Sequence, residues 1–255
     1  MIGMSFTACT AVKSLSADYL TLSLERAKSK EERKKILEIN KNQITSDFVI
    51  SLIEKAGTCS GSEKEKLLAF EPGNIETGGY YPLPGAVKEV SSISKYFLTK
   101  EIYTGKNMKT DILYKDGKKS DVLHFATHGF LESDSPLFSS LLFSDRSLPV
   151  YEIFDLDLRA YLVTLSACKT GLGEEANGDE FVGLSRAFIY AGTPSICSSI
   201  WDVSDVSTCE LMDRFYFHLK DKNKSEALRL AQLDTMKKYP HPFFWAPFIL
   251  TGDWR

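Results

Sequence analysis

From Lys66 onward, short apolar runs alternate with amphipathic segments, and this alternation confines the chain to one broad architecture. Strands that cross over through helices to reach the next parallel strand write this pattern, so the expected fold is α/β, with a central mostly parallel sheet flanked by helices. KLLAF reads as the first strand. LPGAVKEVSSISKYF reads as a helix, with Pro84 suited to its first turn and with Val87, Val90 and Phe97, plus Ile93 or Ser94, keeping a helical stripe. EIYTG, DVLHFA, SLLFS, YLVTLSA, PSICSSIW and FIL follow as strands, the DVLHFA strand ending at His128. Helices are expected at 110–114, in VYEIFDLDL, and at 180–190, 206–220 and 225–238. The run LVTL is polar only at Thr164, as suits a strand covered on both faces.

The residues before Lys66 have a different texture. YLTLSLERAKSKEERKKILEIN has helix-forming composition with dense charge over 28–35, and 47–55 repeats an apolar period near 3.6, so two helices are expected there. Residues 1–65 therefore read as a helical N-terminal segment or insertion ahead of a core domain over 66–255. Its charged face is either solvated or a dock for a regulatory partner.

Composition excludes several functions. The chain carries 31 Lys and Arg against 34 Asp and Glu, a formal net charge of -3, which leaves no basic footprint for nucleic acid or an anionic membrane. Cys9, Cys59, Cys168, Cys197 and Cys209 are odd in number and irregular in spacing, which argues against a secreted disulfide framework. MIGMSFTACTAVKSL lacks the basic n-region of a signal peptide, and no window is apolar enough to span a bilayer. A cytoplasmic protein is expected.

Three strand ends carry chemistry. Ligands of open parallel α/β sheets bind outside the carboxyl ends of the strands. His128 follows one apolar run, Cys168 follows another and Trp201 a third, so one crevice is expected. A free thiol is only a few per cent thiolate at neutral pH, and a neighbouring imidazole raises that fraction. Cys168 as nucleophile with His128 as base makes a cysteine protease. His124 and His128 lie four apart, a zinc pair on a helix but not along a strand and loop, and no H-E-x-x-H glutamate accompanies them. No metal is expected, and His124 reads as a core histidine. GLGEEANG is neither G-x-G-x-x-G nor a P-loop, so no cofactor is expected. Its glutamates, with Asp179 and Glu180, are either solvated charge or contacts for a basic peptide.

Taken together, LHFATHG, LVTLSACKTGLGE, FVGLSRAFIYAG, SSIWDVSDVST, LMDRFYFHL, EALRLAQL and FFWAPFILTGDWR closely resemble the CHAT family of caspase-like cysteine proteases, and are more distantly similar to separases. The resemblance runs from about Leu83 to Arg255. It implies a caspase-like (caspase-hemoglobinase) fold and a cofactor-free endopeptidase in which His128 activates Cys168 to form an acyl-enzyme on a protein substrate. It also implies an oxyanion site at the N–H groups of Gly129 and Cys168, and a substrate pocket shaped by Ser198, Ser199, Trp201, Asp202 and Asp205. Asp205 has a second reading, as the cap of the helix that follows. Family members are commonly activated through attached sensor or repeat regions and act in prokaryotic signalling, including defence, so an activating region or partner is expected. The tetratricopeptide repeats that often precede the domain are not in this sequence, which suggests a fragment of a longer protein or a trimmed member. The alternative is a catalytically quiet scaffold, which has no use for both His128 and Cys168. Arg186, Tyr216, Trp245 and Trp254 are motif residues within aromatic packing, and Cys197 and Cys209 read as bystanders.

Overall fold

The computed structural model describes residues 66–72, 83–132, 135–166, 168–169, 179–201 and 204–255, with the backbone alone at 168–169 and 179–182. The helices expected at 19–40 and 47–55 lie outside the described residues.

Six strands form the main sheet: β1 (Lys66–Glu71), β2 (Thr99–Thr104), β3 (Val122–Phe125), β7 (Leu162–Leu165), β9 (Ser195–Ser199) and β10 (Phe248–Gly252). Their order is β10-β9-β7-β3-β1-β2. All neighbours are parallel except β10, which runs antiparallel to β9. The strand order switches sides between β1 and β3, with β2 added on one side of β1 and β3, β7 and β9 on the other, the position where such sheets open a crevice at their carboxyl edge.

The period of two along each strand divides the core. Leu68 and Phe70, Leu123 and Phe125, and Val163 and Leu165 face one way, where they meet Leu184, Ala187 and Phe188 of α4 (Asp179–Tyr190). Leu67, Ala69, Val122, Leu162 and Cys197 face the other. There α1 (Pro84–Ser94), α5 (Asp205–Leu219) and α6 (Lys224–Lys238) cover them through Val90, Ile93, Leu211, Phe215 and Ala227. Phe70 and Phe125 stack on adjacent strands with ring centres 5.2 Å apart, and both are fully buried. Burying one such side chain stabilises by about 1.5–3 kcal/mol. Among the described residues no helix is long and apolar enough to cross a membrane.

A second, four-stranded sheet stands at the carboxyl edge of the first. Its order is β6-β5-β4-β8, with β4 (His128–Phe130), β5 (Ser140–Leu142), β6 (Ser147–Pro149) and β8 (Cys168–Lys169). The strand expected to end at His128 stops at Phe125, and His128 instead opens β4. Ala126 accounts for the break: its N–H donates to Phe70 O at 2.9 Å, closing the main sheet, and the chain then turns into the second. In chain order α2 (Thr110–Asp116) lies between β2 and β3, the single-turn α3 (Val150–Ile153) follows β6, and α7 (Pro242–Trp245) precedes β10.

Candidate functional site

The site is built on two strands too short to be read as strands. After β3, Thr127 is fully buried and its hydroxyl donates to Leu142 O of β5 at 2.8 Å, which ties the turn to the second sheet immediately before His128. After β7, Ser166 N–H donates to Phe125 O at 2.9 Å, and the chain passes into β8. β4 and β8 are parallel, with His128 in register with Cys168 and Gly129 with Lys169. Neighbouring strands lie about 4.8 Å apart, so positions 128 and 168 sit side by side on one face of this sheet. His128 is 5% exposed. Gly129 is buried between β8 and β5, where Leu141 is its partner.

The other predicted positions distribute as follows. Ser199 ends β9, fully buried and paired with Phe248 of β10, so its side chain is packed into the sheet. Trp201 is partly buried, and its indole N–H donates to Phe243 O at 3.2 Å. Asp202 lies outside the described residues. Asp205 opens α5, and its carboxylate accepts the N–H of Gly85 from the neighbouring helix at 3.3 Å. It therefore satisfies an amide left free at the start of α1, a helix whose N-cap, Leu83, supplies no side-chain acceptor. Asp179 is the first residue of α4.

A buried polar chain beneath the main sheet escaped the sequence reading. His124 Nε2 donates to Glu89 Oε1 at 2.9 Å, its Nδ1 bonds the Tyr216 hydroxyl at 3.1 Å, and that hydroxyl bonds Thr164 Oγ1 at 2.8 Å. All four residues are almost fully buried. Burial holds the Tyr216 hydroxyl protonated far above its ordinary range, so it remains a bridge. His124 is thus a core histidine with both ring nitrogens engaged. The signal for Glu89 was in the sequence, because α1 buries Ala86, Glu89, Val90 and Ile93, an apolar stripe that Glu89 interrupts. Val87, assigned to that stripe, is only half-buried.

The remaining described thiols are poor nucleophiles. Burial pushes the Cys197 thiol far above its usual range and raises Cys209 as well. Cys197 belongs to the core between β9 and the α1, α5 layer.

Comparison with known proteins agrees with this architecture. Gingipain R, an Arg specific cysteine proteinase, superimposes with a TM-score of 0.58 at 12% identity over 83% of this chain and 52% of its own. Separase from Saccharomyces cerevisiae, in complex with securin, superimposes with a TM-score of 0.52 at 12% identity over 80% of this chain and 13% of its own. In sequence, tetratricopeptide repeat protein 28 of Mus musculus is 33% identical over 130 residues, 48% of this chain. That alignment spans only 5% of the mouse protein's length. The sequence profile of the CHAT domain matches residues 8–253, and the chain belongs to the CHAT domain family, with the caspase-like α/β fold that gingipain R and separase share.

Proposed function

We propose that this protein is a cysteine endopeptidase that cleaves protein substrates through an acyl-enzyme. The observation that carries the reading is the register of β4 with β8, which sets residue 128 beside residue 168. In this reading His128 takes the proton of Cys168 and the thiolate attacks the scissile carbonyl. The imidazolium then gives the proton to the leaving amine, and water, activated by the same imidazole, releases the acyl group. The N–H groups of Gly129 and Cys168 hold the oxyanion. Each such donor is worth on the order of a hundred- to a thousandfold in rate. Trp201, Asp202 and Asp205 line the approach of the substrate, with Ser199 as support from within the sheet and Asp179 from α4. The charged segment 1–65 serves regulation in this reading. An attached repeat region or partner switches the enzyme on, as the likeness to a tetratricopeptide repeat protein suggests. The chain works in a reducing compartment such as the cytoplasm, where its thiols stay free.

A denatured proteome mixed with the protein and its native neighbouring region tests the proposal. Wild type should yield new peptide termini that Cys168→Ala does not. Identical patterns from the two, together with no covalent labelling of Cys168 by an electrophilic peptide in any activation state, would instead identify an interaction scaffold.

A further inference from the structure

The hairpin of β5 and β6 joins the strand that carries His128 to the segment that follows the edge strand β2. Its root pairs with β4, Leu141 opposite Gly129 and Ser140 opposite Phe130, and Leu142 O accepts the Thr127 hydroxyl. Its tip is closed by Phe143 N–H, which donates to Arg146 O at 3.0 Å. That tip is bonded to segment 106–110. Ser144 N–H donates to Met108 O at 2.8 Å, and the Ser144 hydroxyl to Lys106 O at 3.0 Å. Asp145 spends both carboxylate oxygens on one residue: Oδ1 accepts the N–H of Thr110 at 3.0 Å and Oδ2 accepts its hydroxyl at 2.7 Å. Thr110 is 4% exposed and opens α2, a helix whose N-cap, Lys109, supplies no side-chain acceptor. Asp145 itself is exposed, so its bonds and not its packing give it a role. A second tie runs beside the first. Arg146 Nη2 donates to Glu152 Oε2 at 2.6 Å, and the Tyr114 hydroxyl of α2 donates to the same oxygen at 3.0 Å.

Apolar contacts and hydrogen bonds hold this hairpin in different ways. Leu141, Phe143 and Leu148 sink into the core and set its depth, but such burial is non-directional. Hydrogen bonds weaken steeply with angle, so those at the tip set its tilt. Leu142 lies three residues from Asp145, at most about 11 Å of chain, so a tilt at the tip reaches the row that holds Thr127 and Gly129. We propose that Asp145 is a positioning residue for β4: by anchoring the hairpin tip to Thr110, it fixes where Gly129 and His128 stand against Cys168. The assignment rests on the protease reading above, in which β4 carries the base and one oxyanion donor. A shift of about 1 Å that originates far from the reacting atoms can cost about a hundredfold in rate, so a smaller tilt is enough to matter.

Moving the cap separates positioning from plain helix capping. On a peptide taken from the proteome digest, Asp145→Ala should lower kcat about tenfold, leave KM within about twofold, and speed amide hydrogen exchange at Gly129 and Phe130 about tenfold. Lys109 already has the extended backbone of an N-cap, so Lys109→Ser added to that variant gives α2 a local cap. It should return the urea midpoint to wild type but neither kcat nor the exchange rates. Asp145→Asn should stay near wild type in all three, because its amide oxygen accepts the Thr110 N–H and its NH2 donates to the Thr110 hydroxyl. Recovery of kcat and exchange with Lys109→Ser reduces Asp145 to a cap and overturns the proposal. Unaltered kcat or exchange in Asp145→Ala does the same, as does an Asn variant as impaired as Ala. In each of these results wild-type cleavage stands, and the protease is kept. Faster exchange at Gly129 that Lys109→Ser does not reverse, in a chain that cleaves nothing and whose Cys168 takes no electrophilic probe, keeps the positioning of β4 and sinks the protease.

Discussion

The six-stranded sheet and the four-stranded sheet meet at two chain crossings, β3 to β4 and β7 to β8, and are held by different forces. The larger is insulated on both faces, with apolar residues at consecutive positions such as Leu67 to Phe70, and a large aromatic stack joins its central strands. The smaller has strands of two or three residues, which bury little of their own. It leans on the larger core through Leu141 and Leu148, and on single hydrogen bonds such as that from Thr127. Division of labour follows. The large sheet carries stability and sets where the strands end, while the small one brings positions 128 and 168 into register. Folding energy and site geometry are therefore separable, and substitutions in the two sheets should show it.

The largest effect belongs to the small sheet and leaves stability alone. Cys168→Ala should remove proteolysis by several orders of magnitude while the unfolding midpoint in urea stays where it was. Burial raises the thiols of Cys197 and Cys209, so the adduct of an electrophilic peptide, located by peptide mapping in mass spectrometry, should sit on Cys168 rather than on these two and be lost from that peptide in the variant. Phe125→Ala is its counterpart in the large sheet. It removes a fully buried ring that stacks on Phe70 and meets Phe143 and Phe188, and should cost about 3–5 kcal/mol in urea unfolding. Should Phe125→Ala cost under about 1 kcal/mol, the large sheet does not hold the stability assigned to it.

The same contrast decides what could be read from the sequence. Strands of the large sheet were legible because period-two burial and unbroken apolar runs depend on neighbours in the chain, as LVTL and KLLAF do. The small sheet was not, because HGF and CK are too short to carry a period, and their pairing is set by tertiary contacts that bring 128 to 168. His128 and Cys168 were nevertheless named, since the chemistry of the two side chains and their motif neighbours mark them without any geometry. Ser199 is expected from the resemblance to help shape the substrate pocket; what its sequence does not reveal is its burial against Phe248, since the antiparallel strand beside it comes from the far end of the chain. Glu89 went unnoticed for a similar reason. A charged residue on an apolar helix stripe looks like noise until its partner, His124, arrives from a strand 35 residues away.

That buried chain yields a smaller, graded test of the large sheet. Tyr216→Phe keeps the ring against Phe97 and Phe215 and deletes only the hydroxyl between His124 and Thr164. Two buried groups then lose a partner, which should lower stability by about 1–3 kcal/mol. A variant as stable as wild type would mean that water replaces the hydroxyl.

The smallest expected change in stability tests the small sheet where it matters most. Thr127→Val preserves shape and removes the hydroxyl that holds the turn before His128 to Leu142 O, a loss of about 1 kcal/mol by the usual net value of one hydrogen bond. Its kinetic effect should exceed its thermodynamic one. Thr127 touches no substrate in the proposed mechanism, so it acts by positioning, and loosening it lets β4 shift against β8 without altering the residues proposed to line the approach of the substrate. The expected pattern is a fall in kcat with KM nearly unchanged, and rescue by Thr127→Ser, which restores the donor. A fall in stability with kcat intact would show that the register of His128 with Cys168 is held by backbone pairing alone, and the small sheet would then need no side chain to keep its geometry.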